Sequence, residues 1–138
     1  MKLFVSIAAS LLLFTSNMIK AQDKFTITAK VVNVTSEKGK VGFALYDKEN
    51  FMKKPLAALE AKIKDGVSVV VFKNVKPGVY AVICYHDKND NDVMDFAANG
   101  MPLEDFGSSN NVMNFGPPTF DTAKFSVTNK NVSLEIKF

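Results

Sequence analysis

Between Asp87 and Asp95 the chain reads Asp-Lys-Asn-Asp-Asn-Asp-Val-Met-Asp, so four carboxylates and two carboxamides fall within nine residues. Carboxylates this close repel one another unless water solvates them all or a cation neutralises them. The spacing suits a cation. Asp87, Asn89 and Asn91 stand at positions 1, 3 and 5 of a calcium loop, Val93 offers a main-chain carbonyl at position 7, and Asp95 falls at position 9. Ca²⁺ takes about six to eight hard oxygen ligands, and alternate side chains plus a carbonyl on one tight loop supply most of such a shell. The expected ligands are therefore Asp87, Asn89, Asn91, Val93 and Asp95, with an affinity of about 10⁻⁴ to 10⁻³ M, as in extracellular modules.

Other reactive groups are few. His86 is the only histidine, and Cys84 the only cysteine. A lone histidine at a strand end reads as a structural hydrogen-bonder, and it cannot build a multi-histidine zinc or iron site. Cys84 lies inside an apolar run, reads as a small buried hydrophobe, and has no partner for an internal disulfide. Glu104-Asp105 is a pair of solvated acids, and Ser108-Ser109-Asn110-Asn111 is a polar turn without an evident base. Catalysis is not expected. The alternative is a small periplasmic hydrolase or ligand carrier using His86 and the 104–111 segment.

The loop follows the run Tyr80-Ala81-Val82-Ile83-Cys84-Tyr85, and the rest of the chain supplies elements of the same kind. Residues 25–34 are rich in β-branched side chains. Lys38-Gly39-Lys40 turns into 41–47, residues 59–64 suggest a short strand, and Asp65-Gly66 is a hairpin signal before 67–72. Residues 74–78 turn into 79–85, while 119–128 and 132–138 read as the last two strands. In the last one Val132, Leu134, Ile136 and Phe138 alternate with polar neighbours, as one buried face requires. The pattern predicts an all-β fold: a single antiparallel β-sandwich of about seven strands. Residues 49–61 read as a crossover with room for one short helix beginning near Pro55. Residues 96–118 form a long irregular segment, and its Phe96, Met101, Phe106, Met113 and Phe115 are expected to pack as a satellite core or, if exposed, to form a contact patch for a protein or glycan partner.

The start of the chain reads as an export signal. Lys2 precedes an apolar stretch from Leu3 to Phe14, and Ala21 supplies a small residue for cleavage. A core of about a dozen apolar residues suits a signal peptide and falls short of a membrane span. The expected organisation is a signal peptide over 1–21 and one β-sandwich domain over 22–138, exported to the periplasm or beyond, with no transmembrane segment in the mature chain. Lys2 and Lys20 leave with the signal, so the net charge falls from +3 to about +1. Every basic residue is lysine. Without guanidinium forks for bidentate phosphate recognition, and without a basic excess, nucleic-acid binding is not expected.

Several pieces of the chain carry a resemblance. They are Val41-Gly-Phe-Ala-Leu-Tyr-Asp47, Pro77-Gly-Val-Tyr-Ala-Val82, His86-Asp-Lys-Asn-Asp-Asn91 and Gly100-Met-Pro-Leu-Glu104, followed by Phe106-Gly-Ser-Ser-Asn-Asn111 and Pro118-Thr-Phe-Asp-Thr-Ala-Lys-Phe125. In that order they resemble the bacterial exported family called domain of unknown function 2141, which implies a transthyretin-like or immunoglobulin-like sandwich without an assigned activity. The acidic loop is also similar to calcium loops of bacterial surface B-type sandwich repeats. Two departures from that pattern stand out. The glycine usual after the fifth position is Asp92, which must make the turn without glycine's freedom. The acid usual at position 12 is Ala98, leaving Asn99, Glu104 or Asp105 to complete the shell. A single histidine and no arginine make two enzyme classes on related sandwiches unexpected. Transthyretin-like hydroxyisourate hydrolases need histidines with an arginine, and intradiol dioxygenases need paired histidines and tyrosines.

Overall fold

The computed structural model describes residue 21 and residues 23–113 and 115–138. The expected signal segment, apart from Ala21, lies outside the described residues. Among the described residues eight strands form two sheets: β1 (Phe25–Val31), β2 (Lys40–Tyr46), β3 (Ala57–Ala61), β4 (Ser68–Val75), β5 (Gly78–Asp87), β6 (Phe106–Ser108), β7 (Phe125–Val127) and β8 (Val132–Ile136). A 3-10 turn (Ser109–Asn111) follows β6, and a short helix α1 (Phe120–Ala123) precedes β7.

One sheet has the order β4-β1-β8. The other has the order β3-β2-β5-β6, with β7 continuing along the same β5 strand. Alternation builds the core between them. Ile27, Ala29 and Val31 from β1, with Val70 and Phe72 from β4, face Val41, Phe43 and Leu45 from β2 and Val82 and Cys84 from β5, all buried. Burying each Val, Ile or Phe of this set stabilises the fold by about 1.5–3 kcal/mol before the entropy of ordering is subtracted.

The structure refines the predicted pattern at four places. The β1–β8 pairing is parallel, with Ile27 beside Val132 and Val31 beside Ile136, so the sandwich is not antiparallel throughout. The Asp65-Gly66 turn forms as read, with φ of 53° and 74° at its two residues and Lys64 and Val67 exchanging both main-chain bonds. Its flanking strands then separate into different sheets, β3 into one and β4 into the other. The expected short helix near Pro55 is absent. There Asp47 accepts from the main chain of Asn50 at 2.9 Å, residues 48–52 form turns, and β3 begins at Ala57. Proline fixes the chain there in an extended entry to an edge strand rather than at a helix start. The crossover packs through Phe51, whose ring sits edge-on between Tyr46 and Phe120. Finally, the expected strand over 119–128 opens with helix α1, because the Thr119 hydroxyl accepts from the Thr122 main chain and caps a helical turn.

Candidate functional site

Strand β5 runs two residues further than its apolar pattern, so it delivers His86 and Asp87 into the interior, both with no exposed surface. Gly39, at φ +71°, passes so close that a Cβ there would stand 1.9 Å from the Asp87 carbonyl oxygen. That approach brings the Lys38 carbonyl onto the His86 ring, whose Nε2–H donates to it at 2.7 Å. Among the described residues, Nδ1 of His86 is buried without a partner. The histidine thus ties the 38–40 turn to the end of β5, in keeping with its reading as a structural hydrogen-bonder.

From Asp87 the chain turns over on itself. The Asp87 carboxylate accepts from the main-chain N–H groups of Asn91 (3.1 Å) and Asp92 (2.8 Å). Asp92 takes the left-handed conformation its position requires, with φ +66°, and Asp90 does the same at +59°. The loop then presents two faces. On one, the odd positions converge: Asn89 Nδ2 donates to Asp95 at 2.7 Å, and Asn91 Nδ2 donates to both Asp95 oxygens at 3.0 Å. On the other, the even positions meet Lys40. Its Nζ lies 3.1 Å from Asp90, in contact with Asp92, and 2.8 Å from Glu60 on β3. These three carboxylates, Asp92 first, hold the ammonium charged well above its ordinary range.

The fold brings the side chains of Asn89 and Asn91 onto Asp95, while the Asp87 carboxylate is taken up by the main chain of Asn91 and Asp92 and the Val93 side chain is exposed. Asp87, Asp90 and Asp92 also have oxygens within 4.8 Å of one another. Sequence reasoning did not pick out that second grouping, nor Lys40 and Glu60. The acids at the even positions 90 and 92 were its only local signal.

Of Asn99, Glu104 and Asp105, only Glu104 bonds to both ends of the loop, and it is buried rather than solvated as expected. Its carboxylate is buried, and its two oxygens accept from Lys88 N–H (2.9 Å) and Asp95 N–H (3.1 Å), one at each end of the loop. Neighbouring contacts reinforce it. Leu103 N–H donates to the Asp95 carbonyl, His86 N–H donates to the Asp105 carbonyl, and Lys88 pairs with Asp105 at 3.2 Å. Asn99 instead accepts from Met101 N–H in a tight turn of its own.

Beyond this brace, a groove of about 650 Å³ opens between residues 102–118 and the end of β8, with Glu104, Phe106, Ser108, Asn111 and Lys137 in its wall. His86 is not part of that wall. The Ser109 hydroxyl is committed to structure, accepting from Val82 N–H at 3.0 Å and donating to the Ala123 carbonyl. The expectation of a satellite core on the long loop is corrected here. Phe96, Met101, Met113 and Phe115 are all exposed, because the sandwich already fills its core from the strands. Cys84 is fully buried as expected, and burial pushes its thiol far above the usual thiol range.

The chain belongs to the family described as an uncharacterized protein conserved in bacteria, domain of unknown function 2141, whose model matches residues 29–135. That span takes in the whole acidic loop and all of the strands except the start of β1 and the last residue of β8. No curated protein and no solved structure matches the chain. Among the described residues, no helix is long and apolar enough to cross a membrane.

Proposed function

We propose that this protein is an exported, non-enzymatic β-sandwich module whose 87–95 loop binds Ca²⁺ and thereby holds the following segment as a contact surface. Asp87, Asn89, Asn91 and Asp95 would supply side-chain oxygens, and Val93 its main-chain carbonyl. The observation that carries the reading is the convergence of Asn89 and Asn91 on Asp95, within 3.0 Å. A half-turn of each terminal amide presents Oδ1 where Nδ2 now lies, so three oxygen donors would then face one point. The Asp87 carboxylate retains lone pairs beyond the two it uses on the main chain. The competing acids at 90 and 92 already have a cation in Lys40, whereas Asp95 has no ion pair among the described residues.

The surface such an ion would steady is the 96–103 segment, where Phe96, Met101 and Leu103 stand exposed beside the loop. Apolar side chains grouped in this way fit a protein or glycan partner better than solvent.

A calorimetric titration of residues 22–138 with Ca²⁺ tests the ion, repeated on Asp87→Ala and Asp95→Ala. Binding in the wild type that is lost in both variants supports it. At calcium about ten times the dissociation constant, the native state should gain about 1.4 kcal/mol. No heat and no calcium-dependent rise in Tm removes the ion from the model.

The groove gives a ligand carrier some support as a second reading, because Ser108 and Glu104 stand in its wall. The hydrolase version requires His86, and the buried histidine bonded to Lys38 offers it little. His86→Ala with retained ligand binding would separate the two.

A further inference from the structure

The four long sides of the two sheets are treated very differently. The outer edge of β8 is plugged by Asn111, whose side-chain amide donates to the Glu135 carbonyl at 2.9 Å and accepts from Lys137 N–H at 2.8 Å. β6 and β7 are three residues each, and Gly107 of β6 lies directly against the Lys137 carbonyl. β3 is short, follows Pro55, and carries Glu60 in the Lys40 cluster. These are the usual means by which sheet edges are kept from pairing with other chains.

β4 has none of them along most of its length. From Ser68 to Phe72 it reads Ser-Val-Val-Val-Phe, without charge, proline or glycine, before the lysine at 73. Only at Asn74, with φ +58°, does an irregularity interrupt it. Its neighbour β1 pairs Ile27 with Phe72, Ala29 with Val70 and Val31 with Ser68. On β1 the even-numbered N–H groups face the β8 side, since Thr26 N–H reaches Asn131 and Val32 N–H reaches the Ile136 carbonyl. The odd-numbered ones therefore face β4. Alternation along β4 then directs the N–H and C=O groups of Val69 and Val71 away from β1. Among the described residues nothing bonds to those groups. The side chains of Val69 and Val71 are also 43% and 40% exposed, on the solvent face of the sheet.

We infer that the β4 edge is a self-association surface, at which a second copy of this chain pairs antiparallel about a two-fold axis through Val70. In that register Val69 stands opposite Val71 of the second copy and Val71 opposite its Val69. Each pair exchanges both main-chain bonds, and the three-stranded sheets join into one of six strands. Two features favour a second copy over another chain. The uncharged run meets itself without repulsion, with inward side chains opposite inward ones and valine beside valine on the outer face. A two-fold pairing also consumes the open edge of both copies, so the assembly closes at two. The calcium reading plays no part in this.

Sedimentation velocity of the purified protein from about 1 µM to about 1 mM, a range that captures a weak to moderate dimer, tests the inference. The wild type should pass from monomer to dimer, with no larger species. Val69→Lys and Val71→Lys, each at an exposed position, should stay monomeric with an unchanged Tm. Val71→Pro removes only an outward N–H and should give the same result with β4 intact. In amide exchange, Val69 and Val71 should slow as the wild-type concentration rises. A wild type that remains monomeric throughout overturns the inference, as does a dimer that survives both lysine variants. Slowing of those amides only on addition of an unrelated extended peptide overturns it in favour of strand capture from another chain.

Discussion

The ammonium of Lys40 rests on the carboxylate of Asp92, fifty-two residues further along the chain. The pairing gives one face of the acidic loop a cation, shared among three carboxylates, and among the described residues Asp95 on the other face has no ion pair. Removing Lys40 therefore tests the loop from its far side. Lys40→Met should lower Tm, because Asp90, Asp92 and Glu60 would lose their shared cation. The same change should tighten Ca²⁺ binding by about threefold or more, since a positive charge near the ion's position is gone. Both effects should shrink as salt rises. Thermal melts and calcium titrations at two ionic strengths check them together.

Glu104 holds both ends of the loop through a single buried carboxylate. In Glu104→Gln one oxygen becomes an NH₂ group facing a main-chain N–H, so one part-buried donor loses its acceptor. The expected loss is about 1–3 kcal/mol of stability. Hydrogen exchange should quicken at Lys88 and Asp95 and stay unchanged at the β1–β4 pairing. Chemical denaturation with residue-resolved exchange measures both.

Gly39 combines a left-handed backbone with a carbonyl in the place a Cβ would fill. Gly39→Ala must move either the 38–40 turn or the end of β5, which also breaks the His86–Lys38 bond. A loss of about 2–4 kcal/mol is expected, well beyond the cost of alanine at an exposed turn. Gly100→Ala is the control. Its φ is also positive, but nothing lies near its Cβ, so only the backbone penalty should appear.

Stability should fall under alkaline conditions. Burial raises the Cys84 thiol from its ordinary 9.0 and raises the phenols of Tyr46, Tyr80 and Tyr85 from 10.0, while the carboxylates around Lys40 raise its ammonium from 10.5. Each group holds its proton more tightly folded than unfolded. Its contribution is thus complete below the unfolded value and is lost as pH rises toward the folded one. Tm should decline from about pH 9 upward, with Cys84→Ala showing a shallower start to the decline. Native Cys84 should also resist thiol reagents until the protein unfolds.

Asn111→Ala should uncover the outer edge of β8. Its amide stands in for a neighbouring strand at Glu135 and Lys137, so the variant should lose little helical or sheet signal yet aggregate faster on warming. Light scattering during a thermal ramp reports this directly.

The amino-acid sequence by itself determined whatever depends on near neighbours. Alternation marked the core face of β8, the Asp65-Gly66 pair set a two-residue turn, and the resemblance to known calcium loops foretold a turn at Asp92, which is left-handed. Backbone sterics and the two-residue period of a strand act over a few residues, so they can be read in order along the chain. Tertiary structure alone decided the parallel β1–β8 pairing, the Glu104 brace, the Lys40 cluster and the guarding of one sheet edge but not another. Each of these joins groups far apart in sequence. Which distant groups meet is decided by the joint packing of two sheets, and no local pattern encodes that.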